Sequence, residues 1–130
     1  MAKNRNRTAG HNYERQVVNE IKNIGFNNIL TARSESRNAD NAGIDIFDPS
    51  GDFPFYIQNK VYKGYPKLNE LINNDRPTRW KDKNIIVFHK KVSKKGKRFY
   101  TDDEFVSMKK EDFYELLNRA YGNRHNSKHS

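Results

Sequence analysis

Apolar positions three and four residues apart dominate the first quarter of the chain. Tyr13, Val17, Ile21 and Ile24, with Val18 beside them, fall on one face of a helix over residues 11–24. Thr8 is placed to cap its start, and Gly25 ends it. The pattern then shortens. Residues 28–33 read as a short strand, and the polar, turn-prone residues 34–42 as a loop. Residues 44–47 and 53–61 are runs rich in β-branched and aromatic side chains, and they predict two strands joined by the turn Asp48-Pro49-Ser50-Gly51-Asp52. Residues 67–74 predict a short helix with Leu68, Leu71 and Ile72 facing inward, followed by a charged loop, 76–83, around Trp80. Ile85-Ile86-Val87-Phe88 is continuously apolar, as in a strand buried on both faces. A basic turn over 90–98 contains Gly96, residues 105–108 give a last strand, and residues 110–121 a closing helix with Phe113, Leu116, Leu117 and Ala120 at helical spacing. The order α-β-β-β-α-β-β-α describes an α/β protein with a mixed central sheet flanked by helices.

Length and composition narrow the picture. At 130 residues the chain builds one core. Residues 1–10 read as a flexible basic arm, 11–121 as the single folded domain and 122–130 as a disordered polar tail. Lys and Arg outnumber Asp and Glu by 25 to 16, for a net charge of +9. That excess attracts polyanions, with nucleic acid ahead of a membrane surface, because no segment reads as a basic amphipathic anchor. No apolar run approaches the roughly 20 residues of a membrane span, and the basic N-terminus lacks the apolar stretch of a signal peptide. With no cysteine there is no disulfide, thiolate metal site or cysteine nucleophile, which is compatible with a cytoplasmic location.

The chemistry concentrates on the two central strands. Residues two apart in a strand share a face, so Gln58 and Lys60 point one way, and Ile57, Asn59 and Val61 the other. Asp45 on the preceding strand can meet Gln58 and Lys60 if the two strands pair. A carboxylate, an amide oxygen and a backbone carbonyl, here that of Asn59, are the hard oxygen donors that Mg²⁺ or Mn²⁺ prefers. An adjacent ammonium suits the phosphate that such an ion activates.

Glu14 in the first helix, Asp45, and the triplet Gln58-Asn59-Lys60 resemble the active-site signature of the PD-(D/E)XK nuclease superfamily, and the branch most similar is that of small Holliday-junction resolvases and their phage relatives. The similarity runs over about residues 8–118. It implies a restriction-endonuclease-like fold and a Mg²⁺- or Mn²⁺-dependent endonuclease acting on branched DNA, in the host cytoplasm if phage-encoded. It further implies a catalytic set of Glu14, Asp45, Gln58 and Lys60, of which Glu14, Asp45, Gln58 and Asn59 hold the metal. Gln58 stands where the family carries an acid. In resolvase-like members a basic or hydroxyl residue before the hairpin contacts DNA, which brings in Arg33, Ser34 and Arg37. Cutting a two-fold symmetric junction twice implies a homodimer, with its surface expected near the third strand, the following helix and Trp80.

Simpler readings stand beside these. Singly, Glu14 and Lys60 are ordinary solvated charges. Asp48 and Asp52 read as turn formers, Asp40 as a loop acid and His89 as a packing or rim residue. Lys90, Lys91, Lys94, Lys95, Lys97 and Arg98 place six cations within nine residues, either a solvated hairpin tip or a phosphate clamp. Lys63 beside Tyr62, and Arg79 beside Trp80, pair charge with aromatics as base-stacking sites do, although a tryptophan is more often a core residue. The neutral Gln58 also leaves open a catalytically weak or inactive nucleic-acid-binding protein of the same fold, and charge alone is compatible with an RNA binder.

Overall fold

The computed structural model describes the backbone of residues 2–35, 37–64, 67–73 and 75–129, and the side chains of residues 8–33, 38–64, 67–73 and 75–122. The elements are α1 (Ala2–Ile24), β1 (Leu30–Thr31), α2 (Ala32–Glu35), α3 (Arg37–Asn41), β2 (Ile46–Phe47), β3 (Tyr56–Tyr62), α4 (Leu68–Ile72), a 3₁₀ turn (Thr78–Trp80), β4 (Ile85–Lys95), β5 (Arg98–Ser107) and α5 (Lys110–His129). The strands form a five-stranded sheet in the order β1-β2-β3-β4-β5. Neighbours are antiparallel except β3 and β4, which run parallel across a crossover that contains α4 and the 3₁₀ turn. The protein is therefore α/β, with a mixed sheet flanked by helices.

Strand alternation splits the core in two. Ile46, Ile57 and Ile86 face α1 and pack against Tyr13, Val17, Val18 and Ile21. Their chain neighbours Phe47, Tyr56 and Ile85 face the other way and pack with Ala32, Ala39, Ala42, Ile44 and Trp80. Apolar layers on both faces explain why the central strands read as unbroken apolar runs.

Several elements depart from the sequence pattern. The backbone is helical from Ala2, where a flexible arm was expected, because no proline interrupts residues 2–10 and a single interior glycine costs a helix only about 1 kcal/mol. Residues 34–42 were expected to be a loop; α2 and α3 occupy most of that stretch, and the small side chains of Ala39 and Ala42 let α3 lie close under the sheet. Ile24 is 75% exposed because the chain turns away at Gly25 (φ 131°), and Phe26 packs on the core instead. Of the residues expected to face inward on α4, none is fully buried. The last strand begins at Arg98 rather than at 105, since β4 offers it a complete ladder despite its polar composition. α5 continues through the stretch expected to be a tail, and Phe113 and Leu117 on it are exposed while Leu116 packs inward.

The turn between β2 and β3 is built by Asp48. Its side chain is buried and accepts hydrogen bonds from the Ser50 backbone N–H (2.9 Å), the Ser50 hydroxyl (2.6 Å) and the Phe53 N–H (3.0 Å). Burial opposes its charge, yet these bonds and Lys83 hold its carboxyl below the usual carboxylate range. Asp48→Ala should lower unfolding free energy by about 1–3 kcal/mol at pH 7 in urea titrations, with the deficit shrinking as pH falls and the wild-type carboxylate protonates.

Candidate active site

Asp45 sits immediately before β2, anchored on both sides. Its N–H donates to the Ile57 carbonyl (2.8 Å), its own carbonyl accepts from the Ala32 N–H (2.8 Å), and its carboxylate accepts from the Asn59 N–H (2.8 Å). Ile46 pairs with Ile57 and both face α1, so alternation turns Asp45, Gln58 and Lys60 to the opposite face of the sheet. Burial pushes the Asp45 carboxyl up to about 6. The Asn59 hydrogen bond and the Lys60 charge pull the other way, and Asp40 adds to the rise.

Glu14 reaches this place from α1. Its side chain is 13% exposed and pairs with Arg33 of α2, Nε to Oε2 at 3.6 Å, an ion pair too long for a hydrogen bond. Burial, then repulsion from Asp45, pushes its carboxyl up to about 7 against the pull of Arg33, with Asp40 adding repulsion. Two carboxyls, both raised above the usual carboxylate range, therefore share one neighbourhood with Lys60 and Arg33. Gln58 is buried, and its Oε1, like Glu14 Oε2, has no hydrogen-bond partner among the described residues. Asn59 is buried on the α1 side with both side-chain polar atoms in the same condition.

These buried oxygens, only partly satisfied by Arg33 and the Asn59 N–H, fit a divalent cation. They are hard donors, and two carboxylates suffer a repulsion that a cation would relieve. Among the described residues no group of three or more Asp, Glu, His or Cys side chains stands ready to hold a metal, so Gln58 and the Asn59 carbonyl would complete a set that Glu14 and Asp45 begin. Mg²⁺ ordinarily keeps several waters, which such a short donor set leaves room for.

The other expected residues divide. Arg33 belongs to the site through Glu14. The side chains of Ser34 and Arg37 lie outside the described residues. Arg79 stacks over Trp80, 4.9 Å to the ring, and Trp80 is only 5% exposed between Phe47 and Tyr56. It is thus a core residue, available neither for base stacking nor as a dimer surface; β3 lies between β2 and β4 in the sheet. Lys63, Lys94, Lys95, Lys97 and Arg98 gather on the far part of the β4–β5 hairpin, with Lys91 at its base. One residue was undervalued in sequence, and a second, read as a packing residue, is one. Asp40 raises both carboxyls because α3 brings it within electrostatic reach, which a loop reading conceals. His89 pairs in register with Lys60 and is buried, its imidazole held below its usual range by burial, against a hydrogen bond with the Gly64 backbone. The alternation Ile85, Val87, His89 carried its facing, but the β3–β4 register could not be read from sequence.

A carboxyl whose folded-state pKa lies above its unfolded value binds protons better when folded. Its contribution is fully present below the unfolded pKa and is lost as pH rises through the folded one. For Asp45 and Glu14 that window runs from about 4 to about 7. Asp45→Asn or Glu14→Gln should therefore stabilise the protein at pH 8 by on the order of 1–2 kcal/mol and change little at pH 4, as read by thermal unfolding across pH.

Comparison with protein-family models, with curated proteins and with solved structures returned no match.

Proposed function

We propose that this protein is a Mg²⁺- or Mn²⁺-dependent endonuclease that hydrolyses phosphodiester bonds in DNA, with a restriction-endonuclease-like fold, and that it acts as a homodimer on branched DNA such as four-way junctions. One observation carries the reading. Glu14, Asp45, Gln58 and Lys60 come from α1, the residue before β2, and β3; burial and mutual repulsion raise the two carboxyls, and Gln58 Oε1 is buried without a hydrogen-bond partner among the described residues, beside Lys60 and Arg33. The five-stranded mixed sheet flanked by helices is compatible with the architecture that the resemblance implies. The net charge of +9 suits a polyanionic substrate.

In this reading Glu14, Asp45, Gln58 and the Asn59 carbonyl hold the cation. When bound, such an ion supplies Lewis acidity to the phosphoryl group and acidity to the attacking water. Lys60 lends positive charge where the phosphoryl oxygens gain negative charge in the transition state. Arg33 balances the Glu14 charge, and would be released to meet a phosphate if a cation took over that carboxylate. The Asn59 N–H fixes the Asp45 carboxylate, so the acid is preorganised. A second reading, binding without turnover, is favoured specifically by Gln58, a neutral ligand where a carboxylate would bind the cation more tightly.

Purified protein with Mn²⁺ and a labelled four-way junction should nick symmetrically related strands, and Asp45→Ala and Lys60→Ala should each lose at least about 100-fold in single-turnover rate with junction binding retained. Wild type that binds the junction without cutting in either metal would leave the second reading. The Mg²⁺-dependent rate should rise with pH through about 6 to 7 as Glu14 and Asp45 lose their protons. That limb should move to lower pH as Mg²⁺ is raised, since cation and proton compete for the same carboxylates.

A further inference from the structure

β3 stops pairing with β4 at Tyr62 opposite Lys91. Beyond that point residues 92–95 of β4 and 98–101 of β5 continue as a two-stranded ribbon that no third strand supports among the described residues. A bulge marks the transition: Lys91 faces Asp103 but Val92 faces Thr101, and the extra residue, Asp102, accepts a hydrogen bond from the Ser93 hydroxyl (2.8 Å). The tip turns at Gly96, whose φ of 62° is the positive value that a two-residue hairpin of this kind places at its first loop position.

Charge is segregated along this ribbon. Asp102, Asp103 and Glu104 lie at its base, and from residue 94 to the tip and back to 101 every side chain is exposed and none is acidic. Register assigns the cations to both faces. Lys94 pairs with Phe99 on the α1 side, and Lys95 pairs with Arg98, beside Tyr100, on the side of Asp45, Gln58 and Lys60. On each face a ring steadies an ammonium. Lys94 and Lys63 lie over Phe99 at 5.7 and 5.5 Å, and Lys95 over Tyr100 at 6.0 Å. Phe99 and Tyr100 remain 51% and 46% exposed. The hairpin is thus a narrow blade, positive on both flat sides.

From this geometry we infer that the ribbon over residues 92–101 is an arm that enters the major groove of duplex DNA, its two faces meeting the phosphate walls on either side. A surface patch would need its cations on one face only. The major groove admits a two-stranded ribbon, and four residues at about 3.3 Å each give a reach of roughly 13 Å, enough for its depth. Lys94 and Lys63 address one wall, and Lys95 and Arg98 the other, with Lys97 leading at the tip. The contacts are to phosphates, so the arm positions DNA without reading sequence. This inference rests on the proposed action on DNA and deepens it by assigning the duplex contact.

The test is equilibrium binding to an unbranched duplex by fluorescence anisotropy, in EDTA so that cleavage plays no part, over a salt series. One variant changes Lys94, Lys95, Lys97 and Arg98 to Gln. A control changes the exposed Lys22, Lys67, Lys81 and Lys110 to Gln, matching the loss of charge. The arm variant should flatten the slope of log K against log salt by about 3 to 4, a loss of roughly a hundredfold in affinity at about 50 mM salt relative to 200 mM, and the control by much less. Filling the major groove with glucosylated hydroxymethylcytosine should weaken wild type to the level of the arm variant, whereas the minor-groove ligand netropsin should not displace it. Equal slopes in variant and control, or displacement by netropsin with no effect of glucosylation, would overturn the arm while leaving junction cleavage standing. Wild type that fails to bind any DNA would remove both this inference and the nuclease reading.

Discussion

The register between β2 and β3 governs the candidate site. A single pair, Ile46 opposite Ile57, commits two isoleucines to the α1 core. Asp45, Gln58 and Lys60 go by alternation to the other side. A slip of one residue would send the isoleucines into the polar region and the carboxylate into the core, so the apolar energetics and the polar geometry enforce the same pairing. Asp45 reinforces it with three hydrogen bonds, to Ile57, Ala32 and Asn59, that tie β2 to the segments on either side.

The same placement works against stability. Glu14 and Asp45 are carboxylates withdrawn from water and set near each other, with Asp40 close enough to add to their repulsion. Arg33 and Lys60 offset only part of this. The surrounding fold supplies the rest, through isoleucines and valines fully buried on α1, β2, β3 and β4. Local consistency is broken here by two buried carboxyls whose mutual repulsion the fold must offset.

What was legible in the sequence followed the hydrophobic signal. The α1 stripe of Tyr13, Val17 and Ile21 and the run Ile85–Phe88 stand in the elements and layers expected of them, since burial on one or two faces leaves its period in the residues. The α2–α3 region was illegible for the opposite reason. Its buried members are alanines, Ala32, Ala39 and Ala42, set among polar residues, and small side chains at a close contact leave no strong pattern. β5 was shortened because its residues are almost all exposed, and its strand character comes from the ladder with β4 rather than from its own composition. At the site, the faces of Gln58 and Lys60 followed from alternation, while the approach of Asp40 and His89 depended on tertiary placement that no local rule supplies. Trp80 divided the sequence readings between a core residue and a surface one, and its ring is packed within the second core layer.

The parallel pairing of β3 with β4 bears on how the chain acquires its structure. The β4–β5 hairpin closes through a two-residue loop and needs only local contacts, so it can zip early. The acidic cluster needs α1, the segment around Asp45 and β3 to be docked together, and β3 is secured to β4 only after the whole crossover has closed. A nascent or partly denatured chain thus displays its basic hairpin before it has assembled any pocket of buried oxygens, so that the charged surface precedes the acidic cleft.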